Sequence, residues 1–155
     1  LAAHRQLLVQ EPHPKPSAIP HQALREWIRF CLRFVLLKRS AHPVLGRLMA
    51  REMRQPTTAL GELVKRVIRP IFSDLVRVVA SVASSTMKPA QIEMAAHQIV
   101  AMCVHFDHSR EVIGRLGFSV PETESQIDRL AESIASMALS GLALQAATRK
   151  RSSSS

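Results

Sequence analysis

The chain has 155 residues, enough for one domain with a real core, and 21 Lys and Arg against 12 Asp and Glu give a formal net charge of +9 at pH 7. Few glycines, no tyrosine and abundant Ala, Leu, Val, Arg and Met favour helix over sheet, and no uncharged apolar run approaches the roughly eighteen residues of a membrane span. The positive excess points first to nucleic acid, but it is spread over several helix faces without interleaved aromatic residues, which argues against a single-strand stacking platform and leaves solvated helix faces as the plain reading.

Residues 1–10 read as the end of a linking helix. Residues 11–20 are a proline-rich loop, EPHPKPSAIP, in which Pro12, Pro14, Pro16 and Pro20 forbid a continuing helix. The proline spacing also fits a polyproline ligand; an interhelical loop is the simpler reading.

A helix is expected from His21 to Lys38. Leu24, Trp27, Ile28, Cys31, Phe34 and Val35 share one face, and Arg25, Arg29 and Arg33 form a ladder opposite, read as solvent-facing or, as a variant, as an anion site. Beyond Phe30 the apolar residues wrap most of the circumference, so this helix should be central. Trp27, Phe30 and Phe34 are half of the chain's aromatic side chains and suit a small-molecule pocket as well as a plain core.

A short helix from His42 to Arg54 follows, with Leu45, Leu48, Met49 and Met53 on its buried side. The next helix is long. Leu60, Val64, Val67, Ile71, Leu75 and Val78 form one stripe, with Glu62, Lys65, Arg66, Arg69, Ser73 and Arg77 on the other side. Pro70 cannot donate to the carbonyl of Arg66 and crowds it, so a bend is expected there.

After SSTMK, Pro89 opens a helix to about Phe106. Its apolar residues cover two faces, one for the core and one for a second subunit, with His97 and His105 among them. His105, Asp107 and His108, with His97, are ligand types close together, but without a zinc-type motif a polar loop is the better reading and no metal is expected. A loop with Gly114, Gly117 and Pro121 leads to the last helix, where Thr123 and Gln126 fit a capping box. Ile127, Leu130, Ile134, Met137, Gly141 and Leu144 repeat at spacings of three and four beside Ala131, Ala135 and Ala138. That face, comprising Ile127, Leu130, Ala131, Ile134, Met137, Ala138, Gly141 and Leu142, is the expected homodimer interface, the last two main helices forming a four-helix bundle with a second copy. The globular part should span 21–148, with 149–155 a disordered basic and serine-rich tail.

The stretch around Arg51, Glu52, Pro56 and Thr57, an R-E-x-x-x-P-T pattern between two helices, continues through Val67, Ile68 and Pro70 and resembles the C-terminal domain of TetR-type transcriptional regulators. The resemblance runs from Leu24 to Leu144 and includes the order and lengths of the helices. It implies an all-α, TetR C-terminal-like bundle of about five main helices that senses a ligand and dimerises. By it, Arg51 or Glu52 should make a polar contact towards a DNA-binding part. Because the chain begins with Leu1 and has no helix-turn-helix ahead of Leu24, a fragment of a longer regulator is expected.

No phosphate loop, G-x-S-x-G or convergent carboxylate pair supports an enzyme, and no cofactor is expected. Without an export signal, and with Cys31 and Cys103 read as reduced core thiols, the expected location is cytoplasmic. The functional expectation is a repressor's sensor domain that binds an apolar or amphipathic small molecule at Trp27, Phe30, Cys31, Phe34, Met49, Met53, Phe72, Leu75 and Val100. It would reach DNA only through the N-terminal part and have no membrane partner. The competing expectation is a stand-alone helical protein-interaction domain with no ligand.

Overall fold

A computed structural model describes residues 17–38, 51–52 and 54–152, with the side chains of 17–37, 51, 52 and 54–144. The expected linking helix at 1–10, most of the proline loop, most of the helix from His42 to Arg54 with Met49 and Met53, and the end of the tail lie outside the described residues. Within them all regular secondary structure is helical, in five units.

Helix α1 (Pro20–Leu32) starts with proline in its first turn, where the missing N–H costs nothing, and runs on as a π-helical segment, Arg33–Lys38. The long rod comprises α2 (Thr58–Leu63), a second π-helical segment (Val64–Ile68) and α3 (Arg69–Val82). Its physical cause is Pro70. With no N–H at that position the ladder is already broken, and the Arg69 N–H bonds the Val64 carbonyl five residues back. The expected distortion is therefore an extra residue in the turn before the proline.

Helix α4 (Pro89–His108) begins with proline, and the Lys88 N–H donates to Gln91 Oε1 at 2.9 Å. Helix α5 (Arg110–Arg115) stops at Gly117, whose φ of 82° is open to glycine at little cost. The Gly117 N–H bonds Gly114 O at 3.0 Å and the Phe118 N–H bonds Ile113 O at 3.2 Å, a Schellman closure. Helix α6 (Glu124–Ser152) starts on the expected capping box: the Thr123 N–H donates to Gln126 Oε1 at 3.0 Å and the Gln126 N–H to Thr123 Oγ1 at 3.3 Å. It continues through 149–152, the first part of the stretch expected to be a tail. Ala, Leu and Gln before these residues are good helix formers, and Arg149, Lys150 and Arg151 suit the negative end of the helix dipole.

Helix α1 lies in the middle, packed on α6, α3 and α4. Leu24, Ile28, Leu32 and Leu36 are fully buried and meet a core to which α3 adds Leu75 and Val79, α4 adds Ile99 and Cys103, and α6 adds Ile127. Burying each such aliphatic side chain contributes about 1.5–3 kcal/mol.

The arginine ladder is where the sequence reading needs correction. Arg25 pairs with Glu132 at 2.9 Å, Arg29 with Asp128 at 2.8 Å and Arg33 with Glu124 at 2.8 Å. Both sets are spaced by four residues and run in opposite directions, so the three rungs lock α1 and α6 antiparallel in one register. The pairs are about half exposed, each contributing on the order of 0–1 kcal/mol, so they orient the helices more than they hold them. The charges of these arginines are thus already matched within the chain, which argues against the anion-site variant.

Candidate functional site

The ion pairs fix which flank of α1 faces α6. At 3.6 residues per turn, Trp27, Phe30 and Phe34 fall on another flank, and among the described helices α1 also packs against α3 and α4. Trp27 is buried, with 4% of its surface exposed; Phe30, Cys31 and Phe34 are half-buried. From α3, Leu75 is fully buried and Phe72 half-buried, and Val100 of α4 is half-buried against the same core. The Phe72 ring lies on the His97 ring with centroids 4.3 Å apart. The seven described pocket candidates thus come from three helices that pack around one another.

Two polar features mark this region. The Cys31 side chain, as a hydrogen-bonding neighbour, and burial together push the Cys103 thiol far above its ordinary range. It stays protonated and is no nucleophile. The indole Nε1 of Trp27 is completely buried and has no acceptor among the described residues.

The R-E-x-x-x-P-T stretch has a local job. Glu52 is 7% exposed, and its carboxylate accepts the Thr57 N–H at 3.0 Å and the Thr57 hydroxyl at 2.9 Å. Thr57 is in turn the N-cap of α2, its Oγ1 accepting the Ala59 N–H at 3.2 Å. Glu52 therefore ties the turn of chain before Pro56 to the start of the rod, and Arg51 is exposed. Beside this clamp runs an open groove lined by Pro56, Thr57, Leu60, Gly61, Val64, Lys65 and Arg69. Sequence reasoning passed over it; the signal was the motif proline just ahead of the short helix that leads into a π-helical segment.

The expected dimer seam divides in two. Ile127, Ala131, Ile134 and Leu142 are buried within the chain, because the acidic ladder turns that face of α6 onto α1 and the core. They are core residues. Met137 is 64% exposed, whereas Leu130, Ala138 and Gly141 are half-buried. Leu130, Met137 and Leu144, seven residues apart, form a stripe on the flank of α6 away from Glu124, Asp128 and Glu132. Leu144 is 67% and Met94 of α4 59% exposed, and a Cβ built on Gly141 would meet nothing within 4 Å.

His97 and His105, expected among buried residues, are exposed. His105 Nδ1 lies 3.2 Å from Ser109 Oγ and His108 Nδ1 3.2 Å from Val104 O, and no group of His, Cys, Asp and Glu suited to a metal occurs among the described residues. None of the described helices is long and apolar enough to cross a membrane.

Residues 20–142 match the sequence family described as HTH-type transcriptional dual regulator CecR, C-terminal domain. Neither a curated protein nor a solved structure matches the chain at a significant level.

Proposed function

Since the chain belongs to the family of the CecR C-terminal domain, we propose that it is the ligand-sensing and homodimerising part of a TetR-type transcriptional repressor. An apolar or amphipathic small molecule enters between α1 and the rod from Thr58 to Val82. It favours one spacing of two subunits, and so changes how two N-terminal helix-turn-helix parts fit their operator half-sites. The protein works in the cytoplasm.

Family membership carries this reading. Three features support it. The aromatic flank of α1 packs against a rod interrupted by a π-helical segment, a place where a backbone hydrogen-bond ladder can change its register. The Glu52–Thr57 clamp couples the start of that rod to the chain ahead of it, so that a shift of the rod is passed on. Finally, Met94, Met137 and Leu144 expose large apolar side chains on the last two long helices, as a face covered by a second copy would.

Light scattering on the chain tests the reading, with Gly141→Arg and Met137→Glu as variants. A Cβ at Gly141 meets nothing within 4 Å inside the subunit, and Met137 is exposed, so both substitutions are aimed at a partner and not at the core. A wild-type dimer that becomes monomeric in both variants is the expected outcome. A wild-type monomer removes the two-fold geometry. It would favour the second reading, a protein-interaction domain, for which the exposed Val112, Leu116 and Phe118 around α5 offer the surface.

A further inference from the structure

We infer that the small molecule sensed by this domain is neutral and apolar with a single carbonyl-type oxygen, and that this oxygen accepts the hydrogen bond of the Trp27 indole N–H. The inference rests on the pocket reading above and narrows it to a chemical class.

An indole nitrogen can only donate. Buried and unpartnered, it is a standing cost to the folded chain, and the great majority of buried polar groups avoid it. None of the described residues supplies an acceptor that would relieve that cost. Cys31, one turn further along α1, carries a thiol, a weak acceptor, beside Cys103. A buried water would need two or more polar partners, and the surroundings of Trp27 are the apolar core cluster with Leu24, Ile28 and Leu75. An incoming acceptor therefore gains a hydrogen bond in an apolar site that had been missing one, a larger gain than the same bond made in exchange for water.

Charge narrows the class. A cation would need a carboxylate, yet the one charged residue buried among those described is Glu52, held by Thr57. A carboxylate would need an arginine or lysine, yet Arg25, Arg29 and Arg33 are matched by Glu132, Asp128 and Glu124 on the other side of α1. A single N–H cannot offset the burial of an ion, but it can offset that of one carbonyl oxygen.

Matched probes test this on the full chain by calorimetric titration: butyrophenone, butylbenzene, which replaces the carbonyl with a methylene, and 4-phenylbutyrate. Trp27 is the sole tryptophan and the chain has no tyrosine, so its emission reports whether a probe reaches this site. The expected result is that butyrophenone binds roughly tenfold more tightly than butylbenzene or 4-phenylbutyrate and shifts the emission. In Trp27→Phe, and in a variant carrying the benzothiophene isostere of Trp27, which keeps the shape and removes the donor, the ketone falls to the level of the hydrocarbon and butylbenzene is unchanged. If ketone and hydrocarbon bind alike, or if the isostere keeps the preference for ketone, the acceptor assignment is overturned while the pocket stands. If 4-phenylbutyrate binds best, an anionic ligand replaces the neutral one. If no probe binds or moves the emission, the pocket reading falls and this assignment with it.

Discussion

The two flanks of α1 are built on different principles. Towards α6 the helix is over-determined: three ion pairs in register and fully buried aliphatic side chains all require the same alignment, and losing one rung leaves the others. Towards α3 and α4 it presents aromatic rings, the Cys31 thiol beside Cys103, and an indole N–H with no acceptor among the described residues, and the rod beyond is α3 with its π-helical segment. A side built from matched charges and aliphatic packing has one good arrangement. A side built from large rings and an unmet donor can gain by rearranging around something else. Rigidity and responsiveness are thus divided between two sides of a single helix.

Core truncation should break this contrast most strongly. Ile28→Ala removes a fully buried side chain and should cost about 2–5 kcal/mol of unfolding free energy, read from urea denaturation, whereas Phe34→Leu on the half-buried aromatic flank should cost clearly less. A larger loss for Phe34→Leu would mean that the aromatic flank is the stiffer one. Next in size is the clamp. Glu52→Ala leaves the Thr57 N–H and hydroxyl without their acceptor and should cost about 1–2 kcal/mol, with hydrogen exchange rising first at the start of α2. Unchanged protection at Thr58 to Gly61 would count against a clamp. The ladder should give the smallest effect. Arg29→Asp should lose about 1 kcal/mol or less, the paired change Arg29→Asp with Asp128→Arg should restore most of it, and the difference should shrink in high salt. No recovery in the pair would show that the rungs play no part in register.

Most helix boundaries were legible in advance because they depend on neighbours in sequence. Pro89 in a first turn, the Thr123 and Gln126 capping box and the turn at Gly117 each act within a few residues, whereas Pro20, read as part of the loop, opens α1. The pocket candidates were legible as a cluster for a similar reason, since aromatic residues three and four apart on a central helix share a flank. The motif was visible too, but the local contact that Glu52 makes was not. That Glu52 faces inward to Thr57 and not outward depends on the path of the chain around Pro56, which no helical periodicity describes.

The dimer seam marks the boundary between the two kinds of information. Periodicity established that α6 is apolar along more than one stripe, because the 3.6-residue repeat is a property of the helix alone. Which stripe turns inward is a property of α6 and its neighbours together. Glu124, Asp128 and Glu132 meet Arg33, Arg29 and Arg25 across about a hundred residues of chain, and that pairing rotates Ile127, Ala131 and Ile134 into the core while leaving Met137 and Leu144 outside. Local repeats decide what a helix can bury; long-range contacts decide which of those faces is buried, because only they choose the rotation of one helix against another.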